Sequence, residues 1–390
     1  MSALATAGVE IERLVARAGS GDSPPAGESW REGLEVFLAD LARSRTMRPG
    51  AREATEALVV ATLRARFAME AWHAGHPAAA ASPVTRPLIV LGMPRAGTTF
   101  LVNLLSLDPQ RRMHWNWEGN RELPPAEAAH LHDDPRIALR VREVDALIES
   151  GFLPLNHHVE RGDEPTECFW QMQQDFKSFS LLIHTQVPDY FEWWLHHADM
   201  AAAYAYHRRY LQALQSAAPG AWTLKFPSHA LAVEEIIATY PDSRIVYTHR
   251  DPIKPLGSTC SLNAHPLSMS NTKVDLAMVG YQVTGILAAS AQRMIAARDR
   301  HPDHAFHDIH YRDFIRDPMA TIRALYAFEG LELNDTVAQA MVAAIVAHEA
   351  ARGHAGTHRY DLADYALDEA TIDRLFGDYI ARFDITLERR

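Results

Sequence analysis

The chain has 390 residues, 47% of them hydrophobic and 22% charged, and a net charge of −11. That is enough to bury a large core, either as one α/β domain with additions or as two smaller domains. The acidic balance argues against a nucleic-acid partner. No apolar run approaches the ~18 residues of a membrane span. Two cysteines, Cys168 and Cys260, are too few for a disulfide framework or a four-thiolate zinc site.

The opening MSALATAGVEIERLVARAG carries acids and has no basic leader region, so it does not read as a signal peptide. With so few cysteines, the expected setting is the cytoplasm. Residues 20–28, SGDSPPAGE, form a loop. Helices are predicted over 29–47 and 51–73, the first capped by Ser29 and carrying Leu34, Phe37, Leu38 and Leu41 at helical spacing. A breaker stretch, HPAAAASPVTRP, closes this part, so residues 1–80 are expected to be a helical N-terminal extension and 81–390 the main domain.

After Pro87 the pattern changes. Leu88-Ile89-Val90-Leu91 is a short apolar strand, followed by a glycine-bounded turn and a helix over 97–107. Further strands are predicted at 222–224, 244–247 and 305–309, with helices over 228–239, 272–299 and 317–328. The expected fold class is α/β: a P-loop-type parallel sheet of four or five strands flanked by helices. Residues 120–215, helical and rich in aromatics, are inserted between the first two strands as a cap placed to line a ligand site.

The turn Gly92-Met93-Pro94-Arg95-Ala96-Gly97-Thr98-Thr99 has the spacing of a phosphate loop, with Thr98 where the lysine belongs. Its glycines let backbone amides turn onto an anion at a helix N-terminus, and Arg95 restores a cation inside the loop. A second cation stands at the end of a later strand, in Thr248-His249-Arg250-Asp251-Pro252. An arginine fork suits a phosphate monoester. Ser258, eight residues on, lies about two turns into the next helix and can reach the same anion. A kinase would want an acid at that strand end to organise Mg²⁺.

Together these motifs resemble the PAPS-dependent sulfotransferases, most closely the bacterial members related to the tyrosylprotein and heparan branch. Gly92–Thr99 is similar to their 5′-phosphosulfate loop, and Arg250 with Ser258 to their 3′-phosphate clamp. Trp222-Thr223-Leu224-Lys225-Phe226-Pro227-Ser228-His229 resembles the family's Leu-Lys-x-Pro-x-His segment. Glu164-Pro165-Thr166-Glu167-Cys168 resembles its Pro-Glu-Glu-Cys segment, with Thr166 replacing the first acid. His358-Arg359-Tyr360-Asp361-Leu362 resembles its His-x-Tyr-x-Leu tail.

The resemblance implies PAPS (3′-phosphoadenosine 5′-phosphosulfate) as donor, held by Arg95, Ala96, Gly97, Thr98, Thr99, Lys225, Arg250, Ser258 and Arg359. Arg95 neutralises the leaving group. Glu118, 21 residues after Gly97 in a shared Glu-x-x-Arg-x-x-Pro pattern, is the expected base. Trp115 and Trp117 are placed to desolvate it. His114 is the second choice, and His157 or His158 the third. The aromatic run over 168–195 reads either as core or as a pocket for a small or medium acceptor with an apolar body and a hydroxyl, less readily an amine. Adjacent histidine pairs such as His157–His158 and His196–His197 point different ways on regular structure, and no His-Glu-x-x-His occurs, so no metal is expected. A nucleotide-dependent kinase and a non-catalytic nucleotide-binding protein of the same fold are the alternatives.

Overall fold

The computed structural model describes residues 3–19, 29–119, 121–153, 160–352 and 360–388. Five parallel strands form one sheet: β1 (Leu88–Gly92), β2 (Arg111–Met113), β3 (Ala221–Lys225), β4 (Arg244–His249) and β5 (Ala305–His310). Their order is β2-β3-β1-β4-β5. Leu88 sits opposite both Thr223 and Arg244, which places β1 at the centre.

All five residues of β1 are buried, as expected for a parallel strand covered on both faces. Successive side chains point to opposite faces. Leu88 and Val90 therefore join a core with Leu101, Leu105, Phe314 and Ile322. Ile89 and Leu91 join a second core with Trp222, Leu224, Tyr247 and Leu256. Tyr247 of β4 shares the face of Ile89 and Leu91, and Val246 that of Val90.

The insertion does not fall between the first two strands in the sense expected from the sequence. The strand β2 intervenes, and its residues, Arg-Arg-Met, give no apolar signal. Both arginines are nonetheless buried, because each finds a carboxylate. Arg111 donates to Glu329 at the far end of the helix Pro318–Glu329, and Arg112 to Glu118. A buried charge is tolerable only when paired in this way.

The helices Ala3–Ala18, Ser29–Leu41 and Pro49–Gly75 precede the sheet. They share a third core with the helix Pro188–His196, in which Trp30, Leu34, Phe37 and Leu63 meet Tyr190, Phe191 and Trp194. No helix among the described residues is long and apolar enough to cross a membrane.

Candidate active site

The C-terminal ends of β1, β3, β4 and β5 lie side by side, the position at which parallel sheets bind ligands. After β1 the chain turns sharply. Gly92 has φ 139°, and a Cβ there would come within 2.5 Å of the Thr248 carbonyl oxygen, so the ends of β1 and β4 pack backbone against backbone. The Met93 N–H closes this contact by donating to that carbonyl. Arg95 is held at φ 60°, the left-handed region a side chain rarely adopts. Gly97, at φ 87°, then caps the helix Thr98–Leu105. Thr98 is buried and Thr99 half-buried in its first turn.

Arg250 follows β4 directly. Its Nη1 donates to the Arg95 carbonyl at 2.7 Å, and its guanidinium lies 4.0 Å from the centre of the Tyr311 ring. Nε and Nη2 form a bidentate pair with Glu388 at 2.7 and 2.8 Å. Burial alone would lower the Arg250 pKa, but the bond to Glu388 raises it. Arg95 keeps part of its surface exposed while its guanidinium is partly enclosed, and it has no carboxylate partner among the described residues. Loss of solvent around its guanidinium, and then the like charge of Arg250, lower its pKa. Two cations held together in this manner are a ready anion site. A cavity of about 760 Å³ opens beside Arg250, lined also by Asp251, Tyr311, Arg312 and Glu388.

Ser258 is half-buried on the helix Ile253–Ser270, which starts just after Pro252. The Tyr360 ring crosses this helix at the neighbouring Gly257, so closely that a Cβ there would overlap it. Arg359, with His157 and His158, lies outside the described residues.

Lys225 ends β3 and is buried. Its Nζ donates to Thr99 Oγ1 at 3.1 Å and pairs with Glu160 at 2.7 Å and Glu167 at 3.2 Å. Burial would lower the lysine pKa, and the two carboxylates more than offset it, so it rises. Burial raises the Glu167 carboxyl in turn. Thr166, which stands in place of an acid, donates its hydroxyl to Glu160 at 2.7 Å.

The structure thus brings Arg95, Thr98, Thr99, Lys225 and Arg250 together. Glu118 is paired with Arg112, and the His114 ring sits beside the Lys225 cluster, bonded to the Glu167 backbone and within reach of the Glu160 charge. Both Glu118 oxygens are engaged, one by Arg112 alone and the other by Arg112 at 3.0 Å and the Trp115 N–H at 3.0 Å. The side chain is buried. His114 is buried against Tyr210 at 3.2 Å and Gln171 at 3.3 Å. Burial, and then the charge of Arg112, push its pKa down to about 3. In the aromatic run, Phe176, Tyr190, Phe191 and Trp194 are buried core, while Phe169, Phe179 and Trp193 are partly exposed. Sequence reasoning missed Glu160, Tyr311 and Glu388. Glu160 lies in a loop whose distance from Lys225 along the chain hides the pairing, and Glu388 comes from the far C-terminus.

A profile of the sulfotransferase family matches residues 87–335. Among solved structures, the chain is similar to sulfotransferase STF9 from Mycobacterium avium, with 32% identity, TM-score 0.87 and coverage of 97% of each chain. It is also similar to sulfotransferase STF1 from Mycobacterium tuberculosis H37Rv, with 27% identity, TM-score 0.80 and coverage of 94% of this chain and 98% of that one. A comparison with curated proteins finds no match.

Proposed function

Because the chain belongs to the sulfotransferase family and is an enzyme of that kind, we propose that its donor is PAPS and its acceptor a hydroxyl on a small or medium molecule. The observation that carries this reading is the convergence of Arg95, Lys225 and Arg250 at the ends of three adjacent strands around one glycine turn. A bound PAPS supplies the sulfuryl group. The residues present fit such a donor: an arginine without a carboxylate partner among the described residues, amides at a helix N-terminus, and a second arginine on a tyrosine face.

In this reading Arg95, Ala96, Gly97, Thr98 and Thr99 hold the 5′-phosphosulfate end. Arg250 and Ser258 hold the 3′-phosphate, and Arg359 joins them. Arg95 faces the charge that develops on the leaving oxygen. Lys225 stabilises charge on the transferred group beside Thr99. The acceptor's proton goes to a carboxylate as its oxygen bonds to sulfur and the bond from sulfur to the 5′-phosphate breaks. Partial exposure favours Glu160, which Lys225 ties to the loop, over the fully buried Glu118, although both oxygens of each carboxylate accept a bond. Glu118, the expectation from sequence, then serves to hold Arg112 in place. Two buried free thiols suit a reducing compartment, and we place the reaction in the cytoplasm.

Calorimetry with adenosine 3′,5′-bisphosphate and with ATP tests the donor. The bisphosphate binds tightly without Mg²⁺ and ATP weakly. Tighter, Mg²⁺-dependent ATP binding would transfer the case to a kinase.

A further inference from the structure

Behind the Lys225 cluster, three side chains from three separate segments converge in the core. Cys168 sits at the start of the helix Phe169–Gln174. His207 lies on the helix Met200–Gln215, and His229 in the short turn Pro227–Leu231 after β3. All three are fully buried, at 0% exposure. Cys168 Sγ and one nitrogen of each imidazole lie within 4.8 Å of one another.

The hydrogen bonds around this group are lopsided. Tyr204 Oη holds His229 Nδ1 at 2.6 Å, and Tyr240 Oη holds His207 Nδ1 at 2.7 Å. The opposite nitrogens, Nε2 of both rings, are buried with no hydrogen-bond partner among the described residues. The two rings stand nearly perpendicular, with centroids 5.6 Å apart. Buried polar atoms are almost always satisfied. Two orphaned imidazole nitrogens on rings grouped with one buried thiol are therefore a feature that core packing alone does not account for. Anchoring of one ring nitrogen so that the other can coordinate is the usual second-layer arrangement around a metal.

We propose that Cys168, His207 and His229 form a buried three-donor site for a thiophilic metal ion, Zn²⁺ or Cu⁺. One thiolate and two neutral imidazoles, with no carboxylate, make a soft donor set that selects these ions over Mg²⁺, Ca²⁺ or Mn²⁺. Bond lengths of roughly 2.0–2.3 Å put donors around one ion about 3.3–3.8 Å apart, so the three groups draw together by about 1.5 Å at most. Binding exchanges the thiol proton for the metal, and each ion taken up releases one proton.

The site has a consequence for the active centre. The Cys168 N–H donates to the Lys225 carbonyl at 2.9 Å, and His229 lies four residues beyond Lys225. An ion shared by these segments would fix the end of β3 and the loop carrying Glu167 against the helix Met200–Gln215. It is a positioning element and does not touch the reacting groups. The sequence reading missed it because the ligands are spread along the chain, not set in a short motif.

The test is the metal content of the full-length protein, purified without a histidine tag or chelator and measured by inductively coupled plasma mass spectrometry. About one equivalent of zinc or copper per chain is expected. Protein produced in cobalt-supplemented medium should show a thiolate-to-cobalt charge-transfer band, lost in Cys168→Ser and kept in Cys260→Ser. Tyr240→Phe, a milder change, should weaken metal affinity by about 10–100-fold while leaving the chain folded. Wild-type protein with less than about a tenth of an equivalent of either metal, and no cobalt band, would overturn the proposal whether or not the variants fold. Equal metal content in wild type and His207→Gln would overturn it as well.

Discussion

Glu388 occupies the arginine that the donor's 3′-phosphate is proposed to use. Its carboxylate grips Arg250 with two bonds, and its own N–H donates to Asp251 at 2.6 Å. An incoming phosphate has to displace it. Glu388→Gln should therefore tighten bisphosphate binding by about two- to fivefold, the size of a partly exposed ion pair, and the gain should shrink at high salt. Arg250→Ala should cost on the order of 1.5–3 kcal/mol per charge-assisted bond lost. That loss should fall on the 3′-phosphorylated nucleotide and spare one without this group. Titrations of both variants with both nucleotides check the pair, and equal losses for the two nucleotides would contradict the assigned clamp. The base is settled by a second comparison. Glu160→Gln should lower turnover by about 10²–10⁴ with donor affinity nearly unchanged. His114→Ala should have a much smaller effect on turnover, as expected of a fully buried ring whose nitrogens are engaged by Tyr210, Gln171 and the Glu167 backbone. If Glu118→Gln produces the large loss and Glu160→Gln does not, the base is Glu118.

Between elements, legibility follows what each stretch has to advertise. The strand β1 was readable because a centre strand buried on both faces must be apolar, and the turn after it because glycines are needed where backbones meet at Thr248. The cations Arg95, Lys225 and Arg250 were readable as residues at strand ends. The strand β2 was not, because Arg111 and Arg112 are buried by partners that no local pattern reveals. The same segment carries a testable charge. Glu122 is buried, with Oε1 accepting from Gln174 at 2.9 Å and Oε2 unpartnered. Burial raises its pKa from 4.5 to about 7, opposed by hydrogen bonds and by Arg136 and reinforced by Glu118. The folded chain keeps this proton until about pH 7, whereas the unfolded chain releases it near 4.5. The contribution of Glu122 to stability is therefore fully present below about pH 4.5 and is lost as pH rises to about 7, by up to about 3 kcal/mol. Glu122→Gln should flatten that slope and stabilise the protein above neutrality. Urea midpoints measured across the window check it, and an unchanged slope would remove Glu122 as the cause.

At the scale of the whole molecule, the question is whether residues 1–80 form an appendage or part of one cooperative fold. The boundary near residue 80 is visible in the sequence as a run of breakers, yet contacts cross it freely. Phe37 has no exposed surface and meets the Tyr190 ring edge-on at 5.5 Å. Asp40 accepts the backbone N–H groups of Asp189 and Tyr190 at the start of the helix Pro188–His196. Arg66 pairs with the buried Asp175 at 2.7 Å. The helices ahead of the sheet therefore complete the core of the insertion that follows it, and neither can bury its apolar face alone. Phe37→Ala should cost about 3–5 kcal/mol, the price of a large-to-small change in a closed core. Because the core is shared, that loss should move the entire unfolding transition as one, seen together by far-ultraviolet circular dichroism and by fluorescence of Trp194 and the other tryptophans. Coincident curves shifted to lower temperature would establish a single cooperative unit. A split into two transitions, with the variant affecting only the first, would make the N-terminal helices a separate domain.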